Sequence, residues 1–358
     1  MKFDDVKDLI KLEYFSKNEN GDLTLNDGYF DDGIIDFHAH LGFNYLLSKK
    51  IDLQCPCRTQ HFFPEEGNPI DLDNYAAYDF TPENAKRCQR ETMKQALNNR
   101  GISKTHTVPN IIAEMDRMKV EKSVILAVEL VIASKNSEHI LENVKNTERL
   151  IPFISIHPLA LGNKMEKMES FISDGARGIK IHPPIQMIKP SNKLSMELLQ
   201  LARQFKLPVL YHSGHSPLSP EFERKYVEIK DYETAIKEYP DVTIIMGHSS
   251  IDRFREAALL GKKYDNVYLE LSGQPPQAIK EIIDIMGDEK ILFGSDWPFY
   301  PIAFPLAKVL LATEGNTLSR ERILRTNAQR ILNKYPKQDI KKPISMINYL
   351  LSSIFANK

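Results

Sequence analysis

The chain has 358 residues, 42% of them apolar and 27% charged, which excludes a disordered or fibrous polymer. Lys and Arg total 47 against 48 Asp and Glu, a net charge of −1, so no global field draws in nucleic acid or an anionic membrane. The opening MKFDDVKDLI has acids where a secretory signal needs bases, no apolar run is long enough to span a bilayer, and three cysteines make no disulfide framework. The expectation is a cytoplasmic enzyme acting on a small molecule.

The first apolar run is GIIDFHAH, Gly33 to His40. A segment of about 41–108 follows, containing the Pro- and aromatic-rich QCPCRTQHFFPEEGNP and the helical TPENAKRCQRETMKQALNNRG. A connection that long is functional where it is ordered, and its aromatics predict order over one mouth of the fold. Seven further runs follow: SVILAVEL from Ser123, IPFISIHP from Ile151, ARGIKIHP from Ala176, LPVLYHSG from Leu207, DVTIIMGH from Asp241, NVYLELSG from Asn266 and KILFGSDWP from Lys290. Segments with helical periodicity, such as LSMELLQLARQF and QAIKEIIDIMG, separate them.

Most of these runs are apolar at successive positions, the pattern of strands covered on both faces. Eight strand–helix units of about 30 residues give the roughly 250 residues of a (β/α)8 barrel. A doubly wound open sheet uses the same units and is the alternative. The expected organisation is one domain over 1–358: strand one at about 33–40, the insertion at about 41–108, the rest of the barrel at about 109–335 and a C-terminal helix at about 336–358.

Ionisable residues gather at the C-terminal ends of the runs, which in a barrel all meet at the catalytic face. His38 and His40 end the first, Lys180 and His182 the fourth, His212 the fifth, His248 the sixth and Asp296 the eighth. His38 and His40 are two apart on a strand, so both imidazoles face one way and can grip one ion, with Asp36 on the same face as their support. A lone HxH is as consistent with structural histidines as with ligands. His212 follows an otherwise apolar strand and could simply be buried against a carbonyl. Asp296 ends an apolar strand and needs a partner or a metal. Pro298 and Pro301 argue against its capping a helix.

Three histidines and a carboxylate suit one divalent transition ion, zinc before magnesium or calcium. Asp296 would also move a proton, and His248 would polarise a substrate oxygen or protonate a leaving group. Lys180 has three readings: an anchor for a substrate carboxylate, an ion pair with Glu129 or Asp296, or a carbamylated bridge to a second metal with His248. Arg58 could clamp a carboxylated substrate, although solvated surface is its default. Trp297 and Phe299 are candidate pocket walls. Cys55, Cys57 and Cys88 lack the spacing of a thiolate site and read as reduced thiols.

DFHAH, GIKIHP, YHSGH, GHSS and GSDWP, in that order, resemble the amidohydrolase superfamily. The branch that includes aminocarboxymuconate semialdehyde decarboxylase is the most similar, and TNAQRIL, Thr326 to Leu332, resembles its closing helix. The resemblance spans about Gly33 to Leu332. It implies a distorted (β/α)8 barrel with a metal at its C-terminal mouth, ligated by His38, His40, His212 and Asp296, with His248 as the catalytic histidine. Lys180 stands where bimetallic relatives carry a carbamylated lysine; this branch commonly leaves it unmodified, which implies one metal. The 41–108 insertion resembles the branch's substrate-covering segment. The activity implied first is hydrolysis of a C–N or C–O bond in a small, carboxylated substrate. The alternative is non-oxidative decarboxylation in the same site, with Lys180, His182, Arg58 and Trp297 around the substrate. A scaffold protein without chemistry ranks below both, since every expected ligand position is filled. A homodimer is the default assembly.

Overall fold

The computed structural model describes residues 1–44, 50–65, 67–98, 101–129 and 134–339. Eight strands lie parallel and in sequence order: β1 (Ile34–Ala39), β2 (Val120–Leu126), β3 (Leu150–Ile154), β4 (Gly178–Ile181), β5 (Val209–His212), β6 (Ile244–Gly247), β7 (Val267–Glu270) and β8 (Ile291–Leu292). The last strand returns to the first. Phe37 N–H donates to the Phe293 carbonyl at 2.9 Å, Asp296 N–H to that of His38 at 2.7 Å and His40 N–H to that of Trp297 at 2.6 Å. The expected (β/α)8 barrel is therefore present, and the open-sheet alternative is excluded by this junction.

The strands form where the sequence is branched and apolar, because each is covered on both sides. Outside lie amphipathic helices. One of them, Lys193–Gln204, starts at Asn192, whose side chain accepts from the Leu194 amide, and buries Met196, Leu198, Leu199 and Leu201. Inside, Ile35, Phe37, Val124, Leu126, Ile151, Phe153, Leu210, Ile245 and Leu292 make one cluster. Ala328, Ile331 and Leu332 of the helix Asn327–Lys334 seal it, together with Tyr335. Hence the TNAQRIL segment plugs the barrel at the end away from the strand-end histidines. Of the C-terminal helix expected at about 336–358, residues 336–339 are not helical and 340–358 lie outside the described residues.

The insertion is ordered where it is described. Phe62 and Phe63 donate their amides to the carbonyls of Pro298 and Phe299, and Phe62 stacks on Phe299 with centroids 4.9 Å apart. Its long helix spans Pro82–Asn98. The first 33 residues add a hairpin, Phe15–Lys17 with Leu23–Leu25, and a strand, Lys2–Phe3, that pairs antiparallel with Ile70–Asp71 of the insertion. Among the described residues no helix is long and apolar enough to cross a membrane.

Lys308, on the helix Ala303–Ala312, fixes the insertion from below. Its fully buried ammonium donates to the carbonyls of Asn74 (2.7 Å) and Gly273 (3.2 Å) and lies 4.6 Å from the Phe304 ring centroid. Burial lowers its pKa to about 7, against the pull of Asp79, Asp71 and Asp73. The unfolded chain therefore holds this proton over a range where the native state has released it, and stability gains with rising pH. We predict that the wild type gains stability relative to Lys308→Met between about pH 7 and pH 10, by on the order of a few kcal/mol. Urea unfolding of both proteins across that range would read it; a flat difference contradicts it.

Candidate metal centre

The β8–β1 junction sets the site. Past β8 the chain runs on through Gly294 to Asp296 alongside β1. Gly294 is required by space, since a Cβ there would lie 2.1 Å from Glu270 Oε1 and 2.7 Å from His38 Cβ. Asp296 sits in the left-handed region at φ +57, which Asp tolerates better than most residues. There its Oδ1 lies 3.6 Å from His38 Nε2 and 3.5 Å from His40 Nε2.

The tautomers follow from the hydrogen bonds. His40 Nδ1 lies 2.8 Å from the Leu126 carbonyl, which can only accept, so Nδ1 carries the proton and Nε2 a lone pair. His38 Nδ1 lies 2.6 Å from Glu270 Oε2, and its Nε2 is buried without a hydrogen-bond partner. Ligand atoms of His38, His40 and Asp296 all fall within 4.8 Å of one another. The orphaned Nε2 of His38, the Nε2 of His40 and a carboxylate oxygen of Asp296, gathered this closely, fit a divalent cation, and the residues present suit it.

Glu270 was not singled out in the sequence, yet it organises this site. Besides His38 it accepts from the backbone amides of His248 (3.1 Å) and Ser272 and from Ser272 Oγ (2.9 Å). Burial pushes it up to about 8, although these donors act in the opposite direction. Because Ser272 Oγ gives its proton to Glu270, it accepts from His248 Nδ1 at 2.7 Å. His248 thus keeps a lone pair on Nε2, and burial holds its pKa down at about 4. His38, His248 and Glu270 form a second compact group, in which the Nδ1 atoms of His38 and His248 are taken by Glu270 and Ser272. The signal that could have found Glu270 is its place two residues before Ser272 in an apolar strand.

Asp36 does not support the imidazoles. A register shift in β1 between Asp36 and Ala39 breaks the simple alternation, and Phe37 packs edge-on against Phe153. Asp36 instead accepts from the His38 and Ser295 amides and from the Ser295 and Ser123 hydroxyls, locking β8 and β2 to β1.

The fourth expected ligand, His212, stands outside the triad. Its ring stacks on His182 with centroids 4.1 Å apart and meets that of His248 at 4.7 Å, while His248 meets His38 at 4.7 Å. Lys180 shares this wall. It is fully buried and its Nζ has no hydrogen-bond partner. Burial lowers its pKa to about 7, with Asp296 and Glu270 acting against that. Its charge in turn pushes His38, His182, His212 and His248 further down. The ion pair with Glu129 is absent, since Glu129 is bound by Ser134, Ser137 and the Asn136 amide.

Two expected substrate contacts lie elsewhere. The fully buried Trp297 sends its indole N–H to Glu114 at 2.9 Å, and Glu114 also accepts from the Ile302 amide and faces His61 Nε2 at 3.1 Å. Trp297 thus braces the loop that carries Asp296. Arg58 is exposed and lines a cleft of about 320 Å³ with Lys7, His61, Asn110 and Arg117, on the side where that loop meets the insertion. The three cysteines are free.

Comparison with known proteins gives the family and the fold. The amidohydrolase family model matches residues 35–334, and the chain belongs to that family. An uncharacterised TIM-barrel protein from Bordetella bronchiseptica superposes with a TM-score of 0.58 at 17% identity, over 84% of this chain and 99% of that one. A 2,6-dihydroxybenzoate decarboxylase gives 0.54 at 14% identity, over 83% and 99%. The 5-carboxyvanillate decarboxylase of Novosphingobium aromaticivorans, solved with manganese and a nitrobenzoic acid, gives 0.51 at 14% identity, over 72% and 86%. Protein fluG of Emericella nidulans is 32% identical over 83 residues, a match that spans 21% of this chain and 10% of that protein.

Removing His38 takes away the nitrogen around which the triad converges. His38→Ala is expected to retain no metal after dialysis, read by elemental analysis. Glu270→Gln keeps every triad side chain but weakens the hold on His38, so metal affinity should fall about 10- to 100-fold by chelator competition. Unchanged affinity in Glu270→Gln would contradict the role given to that carboxylate.

Proposed function

We propose that this protein is a metal-dependent, non-oxidative decarboxylase acting on a small carboxylated aromatic acid. The observation that carries the reading is the buried, unpartnered amine of Lys180 on the wall of the metal site. An ammonium without a partner in a dry interior is strongly disfavoured, and an incoming carboxylate supplies the missing charge and hydrogen bonds. The rings of Phe43 and Phe299 flank His40 at 5.4 and 6.1 Å, an apolar edge suited to an aromatic ring. Similar solved structures named as decarboxylases of aromatic acids support the same reading.

A divalent ion held by His38, His40 and Asp296, with His212 as the fourth ligand once the site is loaded, supplies Lewis acidity and orients the substrate. Histidine-rich donors favour zinc, while manganese is the ion in the 5-carboxyvanillate decarboxylase structure. Lys180 and His182 hold the substrate's anionic oxygens. As CO2 leaves, the electron pair of the broken carbon–carbon bond stays on the ring carbon, which takes a proton. Asp296 takes that proton from a ring hydroxyl of the bound substrate and passes it to the carbon, leaving the product as the phenolate, and the His248 Nε2 lone pair accepts a hydrogen bond from a substrate hydroxyl. Hydrolysis of a C–N or C–O bond is the second reading, favoured by Asp296 facing both imidazoles, as a base for water would. The similar structures support it less well than decarboxylation.

The test is CO2 release from a panel of hydroxybenzoates by protein loaded with zinc or manganese. Lys180→Met should lower kcat/KM by at least about 30-fold at unchanged metal content, the scale expected when a buried charge pair loses one member. Turnover of amides or lactones without any CO2 release would give the assignment to hydrolysis.

A further inference from the structure

The insertion places one largely buried phenol against Gly273, beside the serine that links His248 to Glu270, and no step above uses it. Tyr75 is 8% exposed, and its hydroxyl makes no hydrogen bond to another described residue. It packs with Ala77 and Ile251, beside Leu218. Its ring end lies against Gly273: a Cβ there would sit 2.7 Å from Cε2, 3.0 Å from Cζ and 3.3 Å from the hydroxyl oxygen. Gly273, at φ +81, follows Ser272, the hydroxyl that links His248 to Glu270. Asp296, Glu270 and Tyr300 lie within electrostatic reach of the phenol, and together with burial they hold it in the protonated form.

We propose that Tyr75 is a substrate-contacting hydrogen-bond donor, giving its proton to an anionic oxygen of a carboxylated aromatic substrate at the β6–β7 side of the mouth; this deepens the decarboxylase reading and rests on it. The chemistry follows from what surrounds the hydroxyl. It stays protonated, so it has a proton to give. Its oxygen makes no hydrogen bond to another described residue but keeps contact with solvent, so a substrate oxygen can take the place of water there. Its height is set by two contacts: Ala76 N–H donates to the Gly273 carbonyl at 2.9 Å, and Lys308 ties that same carbonyl to Asn74, the residue before Tyr75. Lys308 is thus a positioning residue for the phenol.

The experiment uses the metal-loaded full chain with 2,6-dihydroxybenzoate as the probe, titrated by calorimetry, with metal content and Tm measured beside it. Tyr75→Phe should weaken the probe about fivefold to tenfold, the scale of one neutral hydrogen bond, at unchanged Tm and metal content. Tyr78→Phe is the control: Tyr78 lies on the same segment, is 48% exposed and donates outward to Asp252. It should leave affinity unchanged. Unaltered binding in Tyr75→Phe, equal weakening in both variants, or failure of the wild type to bind the probe would each overturn the proposal. Probe binding that depends on Tyr75 without CO2 release would remove the lyase reading and support the contact.

Discussion

The hydrogen bonds between β8 and β1 are the constraint on which the site depends. The Asp296 amide donates to the His38 carbonyl, and the His40 amide donates to the Trp297 carbonyl. Backbone geometry therefore sets a carboxylate between two imidazoles that lie more than 250 residues away in sequence. Gly294 lets the strands come this close, because any side chain there would displace Glu270 or His38. Asp36 adds a buried clamp from beneath, and Glu114 holds the far side of the loop through Trp297. The groups that bind metal are in this way placed by groups that do not.

That division explains what was legible in the sequence. The barrel was readable because parallel strands covered on both faces leave continuous apolar runs, and a polar residue ending such a run stands out. His38, His40 and Asp296 could be brought together on that ground alone. Glu270 was hidden although it ends β7, because the apolar run continues past it to Leu271, and its partners come from β1 and from the residues that follow β6 and β7. Asp36 was misplaced because period-2 alternation ignores the register shift that follows it. Arg58 and Trp297 could not be read correctly, since their directions depend on how the insertion and the loop after β8 pack on Glu114, a contact between distant segments. The first 33 residues take their structure from a hairpin of their own and from the pairing of Lys2–Phe3 with the insertion.

The electrostatics of the site follow from its dryness. Six ionisable groups, Lys180, Glu270 and the imidazoles of His38, His182, His212 and His248, are all moved toward their neutral forms by burial. A site in that state accepts charge in pairs: a cation against Asp296 and the imidazole lone pairs, and an anion against Lys180. Under the proposed decarboxylase reading each would make the other easier to hold, because the ion would draw the substrate's oxygens and the substrate's charge would restore the lysine's proton. Carboxylate recognition and metal binding would then be two halves of one balance, which a neutral amide substrate would leave incomplete.

Floor and roof of the pocket have separate origins. The floor comes from strand ends held by barrel closure, where a one-residue change is felt by several ligands at once. The roof comes from the insertion, fastened among other points by Phe62 and Phe63 to the loop after β8, by residues 74–76 to Gly273 through Lys308, by Ile70–Asp71 to Lys2–Phe3 and by Tyr78 to Asp252. None of these fastenings uses a side chain of the metal triad, so the segment can vary in sequence without disturbing it. Substrate choice is therefore expected to reside in residues such as Tyr75 that the roof delivers, while the reaction type resides in the strand-end groups below.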